Sequence, residues 1–169
     1  MKLELLKEPF PETDIEWRPQ QTGIGKNTGK PYAMLLAYIT SRAVMDRLDE
    51  VCGPENWKNE YTQAPNGGVL CGISVWINDT YGTQWVTKWD GAENTNVEAV
   101  KGGLSSAMKR SAVHWGIGRY LYKLPTTFAT FNDYGKRKIS IKNKNQYKTY
   151  KYDNPILPKE FIPKVKEKK

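Results

Sequence analysis

Lys109 and Arg110 are adjacent cations in the segment Asn96 to Tyr122, NVEAVKGGLSSAMKRSAVHWGIGRYLY. At 100° per residue they share a helical face with Gly102, Gly103, Ser106 and Val113. Cations set among residues with almost no side chain suit the close approach of an anion such as a phosphate. Each mid-helix glycine costs roughly 1 kcal/mol relative to alanine, so a purely structural helix gains nothing from two of them. A solvated basic face with tolerated glycines is the plainer reading of the same residues. The opposite arc carries Val97, Val100, Leu104, Met108, Ser111 and Trp115, the stripe of a helix packed on a core.

Binding a nucleic acid without catalysis needs cations for phosphates and aromatic faces for bases or sugars. Trp17, Arg18 and Tyr38 fall in what reads as a β-hairpin, and Arg42 opens the helix that follows. Each also has a structural alternative: Trp17 in the core, Tyr38 under the helix, Arg42 as ordinary surface.

Enzymatic chemistries are harder to build. Two distant cysteines and one histidine cannot supply a four-ligand zinc site. A nucleophilic triad is nearly as hard to build, since His114, the only histidine, lies between Val113 and Trp115 on the long helix and reads as a helix-flank residue bonding to water or backbone. The loop Gly25-Lys-Asn-Thr-Gly29-Lys30 departs from a phosphate-binding P-loop. Three residues rather than four separate its glycines, and Lys30 precedes Pro31 where that motif needs Ser or Thr opening a helix. A Mg²⁺-dependent nuclease is the remaining alternative, with Asp90, Glu93, Glu98 and Lys101 near a strand end. Their spacing is loose, and acids at a helix N-terminus complement its dipole in any case. No cofactor and no metal are expected.

The formal net charge of +8 is unevenly placed. Residues 1 to 122 hold 13 Lys/Arg and 14 Asp/Glu, whereas residues 123 to 169 hold 13 and 4, so the whole excess lies in the last part of the chain. A basic segment gains affinity for a polyanion by releasing counterions, which points to nucleic acid, with a solubilising tail as the alternative. Cys52 and Cys71 sit in apolar surroundings with no secretory signal ahead of them, and are expected to be reduced core residues of a cytosolic protein. No apolar run approaches a membrane span.

Ile15 to Thr22 and Tyr32 to Thr40 predict the hairpin that places Arg18 and Tyr38, around the glycine-containing loop Gly23 to Gly29. Thr40 or Ser41 caps a helix with Val44, Leu48, Val51 and Cys52 on one face and Gly53 as its stop. Trp57 to Thr62, Val69 to Ile77 and Thr83 to Trp89 predict three strands separated by Pro65-Asn-Gly-Gly68 and Asn78-Asp-Thr-Tyr-Gly82. Followed by the long helix at 96 to 122, they give an α+β fold in which an antiparallel sheet packs on a helix. A second hairpin is expected between Thr127 to Phe131 and Lys138 to Lys142, and little fixed structure beyond about residue 143.

Several motifs agree in order and spacing with one family. They are Phe10-Pro-x-x-Asp-Ile-Glu-Trp-Arg18, Ala37-Tyr-Ile-Thr-Ser-Arg42, Arg47-Leu-Asp-Glu-Val-Cys-Gly53 with Asn56-Trp57, Thr87-Lys-Trp-Asp-Gly-Ala-Glu93, Val100-Lys-Gly-Gly-Leu-Ser-Ser-Ala-Met-Lys-Arg110 and Trp115-Gly-Ile-Gly-Arg-Tyr-Leu-Tyr122. From about residue 5 to 125 the chain resembles the phage Sak-type single-strand annealing proteins of the Rad52 superfamily. The resemblance implies a non-catalytic, ATP-independent protein that anneals complementary single strands in recombination and repair, encoded by a bacteriophage and acting in the cytoplasm of its bacterial host. It implies a β-β-β-α core within a homo-oligomeric ring, commonly of about ten or more subunits. Single-stranded DNA would lie in a basic groove with its bases outward. Carried over by position, the groove residues are Arg18, Tyr38, Lys109 and Arg110. Val113 stands where eukaryotic relatives have a further arginine, a charge that Lys101 or Arg119 is expected to supply. The implied organisation is an annealing domain over 1–142 and a basic, flexible tail over 143–169. That tail is a candidate for holding a second strand or duplex, or a partner such as a single-strand-binding protein. An accessory protein whose tail binds an acidic partner is the remaining alternative.

Overall fold

The computed structural model describes residues 2–65, 67–80, 82–93 and 99–163, with the side chains of residues 79 and 99–101 outside that description. The chain folds as a mixed α+β protein with antiparallel sheets.

The first sheet begins with β1 (Ile15–Ile24) and β2 (Pro31–Ile39), paired so that Ile15 faces Ile39 and Glu16 faces Tyr38. The register shifts between Pro19 and Gln21. Proline has no N–H to donate, and β1 is the sheet's edge strand, where such a bulge is tolerated. Thr40 then caps α1 (Ser41–Cys52): its Oγ1 accepts the Ala43 N–H at 3.1 Å, and Gly53, at φ 85°, ends the helix. Val44, Leu48 and Cys52 are buried, and so is Arg47. The Arg47 guanidinium donates to the carbonyls of Leu5, Glu8 and Pro9 and lies 4.1 Å from the Phe10 ring centroid, tying the N-terminal segment to α1.

The second sheet is β3 (Trp57–Gln63), β4 (Val69–Asp79) and β5 (Gly82–Ala92), in that order and antiparallel. Cys71, Ile73 and Val75 alternate along β4 toward α2 (Ala99–His114), where Ala107, Met108 and Ala112 complete the core. Trp115, just past the helix, donates its indole N–H to the Ile73 carbonyl at 3.0 Å, and the Ser111 hydroxyl donates to the Lys88 carbonyl at 2.7 Å. Both free cysteines are buried in this core, and burial pushes each thiol up to about 11.

Three sequence expectations are corrected. The long helix ends at His114 instead of Tyr122, because Gly116 (φ 96°) and Gly118 (φ 66°) take left-handed conformations that turn the chain. A 3₁₀ segment, Arg119–Lys123, carries the rest. The expected hairpin between Thr127 to Phe131 and Lys138 to Lys142 does not form. Thr127 and Phe128 make β6, which pairs with β2, and β7 (Arg137–Asn143) pairs with β8 (Gln146–Tyr152). The chain beyond 143 therefore contains a strand where little fixed structure was expected. Its polar side chains are exposed, while Tyr152 pairs across from Arg137 and is buried with Ile141.

Gly135 makes room for that hairpin, since a Cβ there would lie within 2.6 Å of Tyr152 backbone atoms. The expected start of the helix at Asn96, with Val97 and Glu98, lies outside the described residues. No helix among the described residues is long and apolar enough to cross a membrane.

Candidate nucleic-acid interface

A groove of about 540 Å³ runs between the β1–β2 hairpin and α2, lined on one side by Arg18, Leu36 and Tyr38 and on the other by Lys109, Arg110 and Val113. The hairpin register explains the first set. Glu16 lies directly opposite Tyr38, so Arg18, two residues on, shares its face. Helical spacing explains the second: Ser106, Lys109, Arg110 and Val113 line the groove, while Ala107, Met108, Ser111 and Ala112 turn inward.

Tyr38 is the centre of the arrangement. The Arg18 guanidinium lies 5.5 Å and the Lys109 ammonium 5.0 Å from its ring centroid, so one ring holds two cations by its negative face. Its hydroxyl donates to Glu16 Oε2 at 2.5 Å. Burial and the Glu16 carboxylate push the Tyr38 phenol up to about 12, so it stays protonated. Lys109 is shifted the other way: burial, and then the nearby Arg18 charge, lower its pKa against the pull of Glu16. An approaching phosphate would offset the Arg18 repulsion and favour the protonated ammonium.

That shift sets a pH dependence. The binding-competent form of Lys109 is protonated, and its lowered pKa means the proton is lost as pH rises earlier than from an ordinary lysine. Affinity for a polyanion should therefore weaken on the alkaline side at a pH where free lysine is still charged. Lys109→Arg should remove that dependence, measured by fluorescence anisotropy of a labelled oligonucleotide across pH.

Arg110 is held from behind by Asp90. Its Nε and Nη2 both donate to Asp90 Oδ1, at 3.1 and 3.0 Å, and His114 Nε2 lies 3.2 Å from Oδ2. Burial works to raise the Asp90 carboxyl, but the Gly91 N–H, Arg110 and His114 outweigh it and hold it below the usual carboxylate range. The pair leaves the Nη1 edge of the guanidinium open for a further acceptor. Asp90, one of the acids in the nuclease alternative, is thus occupied by Arg110 and His114, whereas Glu98 lies outside the described residues. Among the described residues no group of three or more His, Cys, Asp or Glu could hold a metal ion.

The remaining candidates lie elsewhere. Arg119 donates through Nε and Nη2 to the Val113 and His114 carbonyls at 2.8 and 2.9 Å. It closes the C-terminal end of α2, beside Lys88, whose ammonium also donates to the His114 carbonyl. It therefore does not supply the charge missing at Val113. Arg42 is exposed at the start of α1, outside the groove lining. Lys101 is on α2, with its side chain outside the described set. Gly103 is buried, so it faces inward and is not part of an open anion-facing surface as its helical position suggested. Glu16, which positions the aromatic, was missed by sequence reasoning, and Asp90 was singled out there only as a nuclease acid and not as the partner of Arg110. Only the register Glu16↔Tyr38 could have revealed the first.

Replacing Tyr38 separates its two roles. Tyr38→Phe keeps the ring beneath both cations and should leave oligonucleotide affinity within about threefold of wild type. Tyr38→Ala removes both cation–ring contacts, each worth about 0.5–1 kcal/mol, and should weaken binding roughly tenfold. Equal losses in both variants would show that the hydroxyl, rather than the ring, matters.

The chain is similar to known proteins. The chain is 38% identical over 131 residues to the single-stranded DNA-binding protein DdrA of Deinococcus radiodurans, covering 76% of this chain and 58% of that protein. It is 34% identical over 141 residues to the protein of the same name from Deinococcus deserti, covering 80% and 63%. It thus spans about three-fifths of the length of the curated relatives it matches. The model of the Rad52/22 family of double-strand break repair proteins matches residues 2–139, which include the whole groove. This chain belongs to the Rad52/22 family.

Proposed function

We propose that the protein binds single-stranded DNA along the groove between the β1–β2 hairpin and α2, and that it anneals complementary strands without ATP during recombination and repair. The observation that carries this reading is the placement of Arg18 and Lys109 over the Tyr38 ring, with Arg110 lining the same groove. Guanidinium and ammonium groups hold phosphates irrespective of sequence, so any strand can load. Leu36 and Val113, beside them, offer base edges no donor, while Gln20, Ser106, Thr126 and Thr127 are polar side chains of the same lining. Bases left unread can sample a complement.

Family membership supports the reading, as does the chain's similarity to the two single-stranded DNA-binding proteins of Deinococcus. We further infer that several subunits assemble into a ring, since many weak grips on one strand multiply through effective concentration. The protein is taken to work inside a bacterial cell without catalysing a bond change. The phage-type resemblance extends to a bacteriophage origin, while the relatives named here are from Deinococcus.

The test is annealing of labelled complementary oligonucleotides with purified protein and no ATP. Faster duplex formation with both strands intact supports the proposal. Shortened strands in Mg²⁺ would replace it with the nuclease reading, and no change in rate or integrity would leave an accessory role.

A further inference from the structure

Arg110 lines the groove, but the carboxylate that holds it also holds a residue that does not. His114 lies four residues beyond Arg110, one turn further along α2 on the same side of the helix. Its side chain is outside the groove lining and borders a separate cleft with Glu4, Lys7, Lys88 and Arg119. Asp90, on β5, joins the two sides. Its Oδ1 accepts from Nε and Nη2 of Arg110 and from the Gly91 N–H at 2.7 Å, while its Oδ2 faces His114 Nε2.

An ionised carboxylate only accepts, so Nε2 carries a proton in this contact whether the ring is neutral or charged. A second proton, taken up at Nδ1, therefore breaks no hydrogen bond. It turns a neutral donor into a cation and the contact into a charge-assisted one. Asp90 competes with any incoming phosphate for the Arg110 guanidinium, and a protonated imidazole gives that carboxylate a second cation to satisfy.

The charged groups around His114 leave this exchange to the ring. From β5 come Asp90 and Lys88, from α2 Arg110, from the 3₁₀ segment Arg119, and from the N-terminal segment Glu4 and Lys7. Lys88 and Arg119 donate to the His114 backbone carbonyl and not to its ring. Asp90 is held below the usual carboxylate range, so it stays ionised near neutrality. Histidine is the side chain that ordinarily changes charge between pH 5 and 8, and the chain has one.

We propose that His114 is a positioning residue for the groove: when protonated, it draws on the Asp90 carboxylate and frees Arg110 for a phosphate of the bound strand. The grip on single-stranded DNA then tightens as pH falls through the imidazole range. The proposal rests on the groove reading and adds its regulation by protons. It acts on the acid side, apart from the alkaline limb set by Lys109.

The experiment measures affinity for labelled oligo-dT by fluorescence anisotropy from about pH 5.5 to 8, in salt of about 0.15 M, where charges more than about 8 Å apart are largely screened. Wild-type affinity should rise about threefold to fivefold toward the acid end, the reach of one half-exposed ion pair. His114→Gln keeps a donor for Asp90 but cannot become charged, and its affinity should stay within about twofold across the range. Arg110→Ala should bind more weakly and also lose the response. The single histidine gives one imidazole signal by NMR. By linkage, saturating oligo-dT should raise its titration midpoint by about 0.5–0.7 of a pH unit, the logarithm of the same ratio. That displacement should vanish in Arg110→Ala.

Wild-type affinity that is flat across the range would overturn the proposal, as would a response that survives in His114→Gln. A full response in Arg110→Ala would overturn it too, since the imidazolium would then attract the strand as a plain charge. Thermal melts at both ends of the range follow the folded fraction, and a response that merely tracks that fraction would also overturn it. Failure of wild-type protein to bind oligo-dT at any pH in the range would instead sink the groove reading.

Discussion

Replacing Lys109 and Arg110 together with alanine should weaken binding of single-stranded DNA by about 100-fold or more at moderate salt. Hydrogen bonds to charged groups contribute about 1.5–3 kcal/mol each, and the lower end applies because Arg110 is half exposed, its side chain 54% accessible. Two such losses give about 3 kcal/mol, and each 1.4 kcal/mol is tenfold. The slope of log affinity against log salt should fall by about 1.4, or roughly 0.7 for each phosphate released from a single strand. The fold should survive. Both side chains project into the groove, and Asp90 keeps His114 and the Gly91 N–H as partners. Anisotropy titrations at several salt concentrations measure both quantities. Wild-type affinity with an unchanged slope would remove this face from the binding site.

The largest expected effect on stability comes from Trp115→Ala. Trp115 is 6% exposed, packs within the core cluster and donates its indole N–H to the Ile73 carbonyl in the middle of β4. The Lys88 ammonium lies 4.2 Å from its ring centroid on the way to the end of α2. Truncation removes a large buried ring and leaves the Ile73 carbonyl without that donor, for a cost of about 3–5 kcal/mol. Folded domains are stable by only about 5–15 kcal/mol, so the midpoint of thermal unfolding should drop by on the order of 10 °C. Because Trp115 fixes α2 to the sheet, strand binding should fall with the folded fraction and not independently of it. A melting curve within 2 °C of wild type, on the scale of small surface effects, would contradict the role given to this residue.

Much of this arrangement was legible in the chain because local rules and tertiary context agree there. Thr40 and Gly53 mark the ends of α1 by capping chemistry, and the glycines near 25–29 and 67–68 mark turns. The two faces of α2 separate at Lys109, Arg110 and Val113 against Met108 and Ser111, with Gly103 the exception.

The errors arise where one pattern serves two structures. Tyr122 falls seven residues after Trp115, on the arc of the apolar stripe, yet it does so across two left-handed glycines and a 3₁₀ segment, which periodicity cannot distinguish from helix. Likewise Gln146–Tyr152 is too polar to predict burial, since only Tyr152 turns fully into the core and the rest of the strand gains its order from pairing with β7. The roles of Asp90 behind Arg110 and of Arg119 at the helix end depend on contacts across 20 and 6 residues that spacing alone does not specify.

The most direct measurement is the structure of the protein bound to a single-stranded oligonucleotide, by cryo-electron microscopy of the assembled particle. The account predicts phosphate oxygens about 2.7–2.9 Å from the cationic nitrogens of Arg18, Lys109 and Arg110, with the bases turned away from Tyr38 and open to solvent. A strand seated elsewhere on the subunit, or bases buried in the groove with phosphates outward, would contradict it.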